Sequence, residues 1–371
     1  MIQRWKLRRE MNRILDQVAA LPALIYEPIK QRRYDKTRDA QITVRDGAVA
    51  RSNKVAIFLV FQPKALAQSV VETCVYLCAS GYSVLLVANG GISEDSRSCL
   101  KQNVWRFIDR PNYGYDFGGY RDAILKLADW DILPDRLLIL NDSIWFPAHD
   151  ETSPVIQAEA IDTAITGLLM HTRASRERAG EVGRDGMIES YFFSIPAAIQ
   201  RQDGFQRFWR DLRLSNSKAR IIHRGERGFS KAMRAAGIPL AALSSRQQFL
   251  AAISTASADF LRTTLRYAVY IDKDFLKERN SLLESFQPTE EWRTAALAHV
   301  SSTVHRRRFN SSFYWAADRL AMTNFIKKNR GKLFSLMRRS FLVAVSEGKL
   351  PIPPDAVMRE ISALCSDEQG K

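Results

Sequence analysis

The chain of 371 residues is poor in cysteine and histidine, with four of the first and five of the second. Cys74, Cys78, Cys99 and Cys365 show no framework spacing and no C-x-x-C pair, which argues against a disulfide-stapled scaffold. Cys74 and Cys78 stand at i, i+4 on an expected helix, where two small apolar side chains share one buried face. No H-x-x-x-H pair occurs, so a zinc site is not expected. Long hydrophobic runs are missing too. The longest, Val55 to Phe61, has seven residues, far below the ~20 that cross a bilayer. Glu10, Asn12, Arg13 and Asp16 interrupt any apolar core after the basic start, so no secretory signal is read and a cytoplasmic chain is expected. Walker A, G-x-S-x-G and kinase-loop patterns are absent, as is a G-x-G-x-x-G fingerprint after the first strand, which removes support from kinase, hydrolase and dinucleotide-binding readings.

Charge, by contrast, is plentiful and lopsided. Fifty-five Lys and Arg face 40 Asp and Glu, a net +15. The excess gathers at the ends, in Arg4 to Arg9, in Lys30 to Arg33, in Arg306-Arg307-Arg308 and from Lys327-Lys328 to Arg338-Arg339. Such runs suit an anionic partner, which could be nucleic acid, a phospholipid surface or a phosphorylated small molecule; alone they could also be solvated surface. A basic amphipathic helix over Ile2 to Ala20, with Trp5, Leu7, Ile14 and Leu15 on its apolar side, points to an anionic membrane surface, or to a helix that packs on the body.

Three regions are expected: a basic N-terminal appendage over 1–50, an α/β domain over 51–243 and a mainly helical region over 244–371. At Lys54 the composition changes abruptly. Val55 to Phe61 reads as a strand, a helical pattern runs to Ser80, Gly81 stops it, and Ser83 to Ala88 is a second strand, together a βαβ unit of a mostly parallel, doubly covered sheet. Further strands are read at Val104 to Ile108, Arg136 to Leu140, Ile165 to Met170, Ile188 to Ile195 and Ile238 to Leu243. Helices are read at Phe117 to Ala128, Gly204 to Arg213 and Glu226 to Ala236.

In open α/β sheets ligands bind beyond the carboxyl ends of the strands. Polar residues follow three apolar runs here: Asn89-Gly90-Gly91, the loop Arg110 to Asp116, and Asn141-Asp142-Ser143. Each can also be ordinary turn or helix-cap chemistry. Their recurrence after successive strands favours a site.

The segments Asn112-Tyr-Gly-Tyr-Asp-Phe-Gly118, Leu138-Ile-Leu-Asn-Asp-Ser143, Glu189-Ser-Tyr-Phe-Phe193 and Gly225-Glu226-Arg-Gly-Phe-Ser230 resemble, in order, motifs of the rhamnan synthesis protein F family, over about residues 54 to 243. The resemblance implies a GT-A-like (Rossmann-like) α/β fold. It also implies transfer of a sugar, possibly rhamnose, from a nucleotide diphosphate sugar to a saccharide or lipid-linked acceptor in surface polysaccharide synthesis. On that reading Asp142 holds a Mg²⁺ or Mn²⁺ ion, and Asn89, Asn112, Gly114, Asp116, Asn141 and Ser143 line the donor pocket. Glu226 acts as base toward the acceptor hydroxyl with Glu189 in reserve, and transfer inverts configuration. The chain departs from the family in three places. Asn-Asp-Ser carries one carboxylate where many such enzymes have two, Met187 replaces an expected His, and a later Asn-Pro-Thr-His-like segment survives as Asn310-Ser-Ser-Phe313. Two other functions stay open: a non-catalytic nucleotide-sugar-binding protein in which Asp142 is only a cap, and a nucleic-acid-binding protein, against which stands the lack of any recognisable module.

Overall fold

The computed structural model describes residues 26–172 and 186–367. The expected basic helix of residues 2–20 lies outside them. Helix α1 (residues 26–41) leads into strand β1 (Thr43–Asp46). The βαβ unit follows as β2 (Lys54–Val60), α2 (Gln68–Ala79) and β3 (Tyr82–Asn89). Next come α3 (Glu94–Leu100), β4 (Arg106–Arg110), α4 (Tyr115–Asp129) and β5 (Arg136–Asn141). The remaining strands are β6 (Ile144–Trp145), β7 (Ile165–His171), β8 (Met187–Ile188), β9 (Phe192–Pro196), β10 (Leu240–Ser245) and β11 (Ile326–Lys327).

Among the described residues nine strands form one sheet in the order β1-β4-β3-β2-β5-β9-β7-β10, with β8 beside β7. β2, β3, β4, β5, β7 and β10 run one way, and β1, β8 and β9 run against them. This is the mostly parallel α/β sheet that the apolar runs predict. Its double covering shows in β2, where Val55, Ile57 and Leu59 enter one core while Ala56, Phe58 and Val60 enter the other. Alternate side chains of a strand point to opposite faces, so a run apolar at every position needs cover on both.

Three expectations need correction. Residues 26–50 are joined to the α/β body: β1 pairs antiparallel with β4, and α1 buries Tyr34, whose hydroxyl donates to Asp122 at 2.5 Å. The run Ile188 to Ile195 is two strands, because Glu189, Ser190 and Tyr191 leave the ladder between β8 and β9. Glu226 does not open a helix. It lies in a π-helical turn, Ile222–Arg227, inside a continuous helical stretch from Lys218 to Ala235, so a first-turn dipole contact does not explain it.

Beyond β10 the chain is helical around a core of its own, into which Trp145 and Ala148 reach from the sheet domain. Two devices lock this region to the sheet. β11 pairs antiparallel with β6, matching Ile326 with Trp145 and Lys327 with Ile144. The last helix, Asp355–Asp367, and α2 cap each other: Glu360 accepts from the Ser69 N–H at 2.9 Å, and Glu72 accepts from the Ala356 N–H at 3.1 Å. Each carboxylate thereby satisfies an amide that a helix N-terminus leaves unpaired.

Candidate active site at the carboxyl ends of the strands

β2, β3, β4 and β5 end on one side of the sheet, and the loops after them are held by buried polar contacts. Behind the loop after β4 stands Arg110, which the motif reading did not single out. Its Nε meets Asp122 Oδ2 at 2.7 Å with both side chains fully buried, and its other nitrogens donate to Asn89 Oδ1 at 2.5 Å and to the Tyr113 carbonyl at 2.6 Å. Asn89 also donates to the Tyr115 carbonyl at 3.3 Å, so its amide braces the loop from beneath. Gly114 has a φ of +83°, a left-handed turn that glycine adopts without penalty, and α4 starts immediately after it. The predicted donor-pocket residues Asn89 and Gly114 therefore shape this loop through their own contacts and backbone. Asn112 has no partner for its buried Oδ1 among the described residues.

The turn that Gly114 opens sets Asp116 in the first turn of α4, against the end of β5. Asn141 donates to Asp116 Oδ2 at 3.1 Å and accepts through Oδ1 from the Ser143 hydroxyl at 2.5 Å and the Ser143 N–H at 3.1 Å. Asp142 Oδ2 accepts from the Phe61 N–H at 3.0 Å and from Gln62 at 2.6 Å, both just beyond β2. Those contacts fix the carboxylate and leave Oδ1 to face elsewhere. Burial, followed by the charges of Asp142 and Glu226, pushes the Asp116 carboxyl up to about 6. Burial also raises Asp142, against the Phe61 and Gln62 hydrogen bonds and the charge of Lys328.

Glu226 approaches from the π-helical turn. A Cβ on Gly225 would stand 2.5 Å from Cγ of Phe117, so only glycine lets this turn press onto α4. Burial raises Glu226 above the ordinary carboxylate range; a hydrogen bond with Ser190 opposes the rise and the charge of Glu189 adds to it. Asp116, Asp142 and Glu226 thus share one field. The structure brings together these three predicted residues with Asn141 and Ser143. Among the described residues no group of three or more His, Cys, Asp or Glu forms a metal cluster.

Glu189 is different. It meets Lys327 at 3.0 Å and Arg308 at 2.6 Å. Burial pushes its carboxyl up, but the two cations outweigh that and hold it below the usual range. A carboxylate so neutralised is a weak proton acceptor, which argues against its reserve role as base. The cations themselves were read as part of a basic surface, and the structure corrects this. Lys327 and Lys328 sit on or beside β11 and are largely buried, while Arg338 is fully buried and donates to the carbonyls of Lys327 and Asn329. The Lys328 N–H donates to the Ser143 carbonyl at 2.9 Å, and its Nζ reaches the Ser69 hydroxyl at 3.1 Å. Nothing in the run Phe325-Ile326-Lys327-Lys328 marks it as partner of residues 180 positions earlier.

Residues 84–286 match the profile of rhamnan synthesis protein F, more than half of the chain. The chain belongs to the rhamnan synthesis protein F family. All four motif segments lie within the matched span, as do Asn89, Asn112, Gly114, Asp116, Asn141, Asp142, Ser143, Glu189 and Glu226, whereas Phe61, Gln62, Arg308 and the residues on and beside β11 lie outside it. An uncharacterized protein of Sinorhizobium fredii, y4gN, is 28% identical over 269 residues, which cover 72% of this chain and 69% of that protein. Virulence protein VirA of Vibrio anguillarum is 38% identical over 68 residues, 18% of this chain and 22% of that protein. Among solved structures, the galactosyltransferase LgtC with donor and acceptor sugar analogs is 15% identical with a TM-score of 0.31, covering 51% of this chain and 72% of that one. The mannosyltransferase PcManGT of Pyrobaculum calidifontis with GDP-Man and Mn²⁺ is 9% identical with a TM-score of 0.33, covering 90% and 94%. At such scores neither bears on the chemistry of this site.

Proposed function

We propose that this protein is a glycosyltransferase that moves a sugar, with rhamnose the first candidate, from a nucleotide diphosphate donor to a saccharide or lipid-linked acceptor in surface polysaccharide synthesis. On this reading it works in the cytoplasm, peripheral at the inner face of the membrane. The observation that carries the reading is the gathering of Asp116, Asn141, Asp142 and Ser143 with Glu226 at the carboxyl ends of the parallel strands, in a member of this family.

The acidic residues fit a hard divalent cation. Asp116 and Asp142 repel each other, and each has one oxygen committed to a hydrogen bond and the other uncommitted among the described residues. Mg²⁺ or Mn²⁺ takes one or two carboxylates together with phosphate oxygens and water, so these two side chains would hold it. Bound there, it would neutralise charge on the departing diphosphate. Asn141 orients Asp116, and Gln62 with the Phe61 amide orients Asp142. Glu226 accepts the proton of the acceptor hydroxyl, and its raised proton affinity suits that task near neutral pH. The reading takes the transfer to be inverting, for which one base on the acceptor side suffices because the acceptor oxygen displaces the nucleotide in a single step; the anomeric form of the product tests this directly by NMR.

The reading is tested by thermal shift with a panel of nucleoside diphosphates and nucleotide sugars, with and without Mn²⁺. A donor that binds only the folded state raises Tm in proportion to the logarithm of its concentration. A metal-dependent shift by one base class, with release of its diphosphate on adding acceptor, is the expected result. A shift by single-stranded RNA with none by any nucleotide sugar would replace glycosyl transfer with nucleic-acid binding.

A further inference from the structure

Residues 201–236 hold ten Lys and Arg against Asp203, Asp211 and Glu226, seven of the chain's fifteen net positive charges in about a tenth of its length. The segment folds as the helix Asp203–Asp211, the stretch Lys218–Ile221, the π-helical turn and the helix Gly228–Ala235. Between the two longer helices lies an open groove of about 700 Å³. Phe208, Leu212, Ala232 and Ala236 give it an apolar floor, with Arg213 and His223 on the rim.

Part of the local charge is already neutralised. Arg207 pairs with Asp203, Arg210 with Asp211, and Arg220 and Arg224 with Glu27 of α1. Arg213, His223, Arg227 and Lys231 are exposed and have no carboxylate partner among the described residues. The ion pairs of Glu27 also tie the start of α1 to this face. Residue 26 begins α1 beside Arg220 and Arg224, and the 25 residues before it hold five Lys and Arg against two carboxylates. An extended anionic surface complements the exposed Arg213, Arg227 and Lys231 of this face.

We infer that this face, the groove between Asp203–Asp211 and Gly228–Ala235 with Arg213 on its rim and Arg227 and Lys231 exposed on the adjoining helical stretch, docks on an anionic phospholipid bilayer. Phospholipid matches both features of the groove. Phosphate headgroups meet the cations, and an acyl chain or the interfacial methylene region meets the apolar floor, which a nucleic acid backbone would leave unfilled. The π-helical turn joins this face to the site. Gly225 packs on Phe117 and Glu226 enters the shared carboxylate field, while His223 and Arg227 of the same turn are exposed. The bilayer would therefore lie one helical turn away from the proposed base. The inference itself does not depend on glycosyl transfer.

The experiment uses the full chain and extruded vesicles of phosphatidylcholine, with or without 30% phosphatidylglycerol. Sedimentation measures partitioning for the wild type, for the triple variant Arg213→Glu, Arg227→Glu, Lys231→Glu, and for a variant with Arg4, Lys6, Arg8 and Arg9 changed to Ser. Ala235→Glu, which puts a charge at the lip of the groove, is the second variant should the triple fail to fold; circular dichroism checks both. The wild type should bind only the anionic vesicles and release as salt rises and the Debye length shrinks. The triple variant should partition about 100-fold less well, Ala235→Glu at least several-fold less, and the N-terminal variant only a few-fold less. Undiminished binding by the triple variant, or equal binding to neutral vesicles, overturns the proposal. So does displacement by a single-stranded oligonucleotide at matched charge, which would assign the face to nucleic acid. Donor-dependent thermal shifts on the same variants should not change, so failure here leaves the catalytic reading standing.

Discussion

The two walls of the site carry opposite charge and are handled in opposite ways. On the acidic wall Asp116, Asp142 and Glu226 are half-buried, form no ion pair among the described residues, and are all shifted toward the protonated form. On the basic wall Lys327 and Arg308 are consumed by Glu189, and Lys328 is held by Ser69 and lies 3.9 Å from Glu360. Ion pairs that close on themselves position the chain around them. Carboxylates left facing one another cost free energy, and such strain persists where a cation or a proton is to be received. The contrast therefore assigns chemistry to the acidic wall and support to the basic one.

The largest effect should come from Asp142→Asn. The substitution keeps an oxygen for the Phe61 N–H but removes the charge, so kcat/KM should fall on the order of 10³-fold, about 4 kcal/mol in transition-state stabilisation. Donor binding should lose its dependence on Mn²⁺ while Tm changes little. Transfer at the wild-type rate would move the chemistry off this wall. The basic wall should behave in the reverse sense. Lys327→Met leaves Glu189 with Arg308 alone in a buried setting, and breaking one side of such a pair costs about 3 kcal/mol of stability. Urea unfolding should show that loss, with residual transfer in whatever fraction stays folded.

These walls were unequally legible in the sequence. The acidic wall rests on local signals: apolar runs that end in polar residues, and a short loop that feeds α4. Asp116, Asn141 and Asp142 follow from them because β2, β3, β4 and β5 are parallel neighbours, which brings their carboxyl ends together. The basic wall rests on a two-residue strand, too short for any periodicity, whose pairing with β6 spans some 180 positions. Buried Lys327, Lys328 and Arg338 look in sequence like the solvated cations around them, since a buried charge is betrayed only by partners that tertiary structure supplies. Residues 26–50 were misread for a related reason. Their composition is that of an appendage, and Tyr34 and β1 join the body through Asp122 and β4.

Glu226→Gln tests which carboxylate of the acidic wall takes the proton. The amide retains size and hydrogen bonding with Ser190 but cannot act as base, so kcat should fall by about 10²-fold or more while donor affinity is kept. Glu189→Gln should instead lower stability by freeing Lys327 and Arg308, with a smaller loss of kcat in the folded fraction. A wild-type kcat for Glu226→Gln together with a collapsed kcat for Glu189→Gln would exchange the roles of the two residues and of the two walls.

The most gradual effect is a pH dependence that belongs to Asp116. Its carboxyl titrates at about 6 in the fold against an ordinary value of 3.8, so the folded chain binds this proton more tightly than the unfolded chain does. Below both values the group is protonated in either state and stability is unaffected. As pH rises between them the unfolded chain gives up the proton first, and stability falls until the folded value is passed. With each unit corresponding to about 1.4 kcal/mol, the penalty above pH 6 is on the order of 3 kcal/mol. Asp116→Asn removes the ionisation and retains a partner for Asn141. The stability of the variant relative to the wild type should therefore grow from its value near pH 3 by about that amount by pH 7, measured by urea unfolding without metal. The difference cancels every other carboxylate that titrates in the same range. Mn²⁺ should narrow the gap at pH 7, because a cation bound between Asp116 and Asp142 stabilises the ionised pair in the folded state only. A gap of constant size across the range, or one that closes as pH rises, would place Asp116 outside the acidic wall.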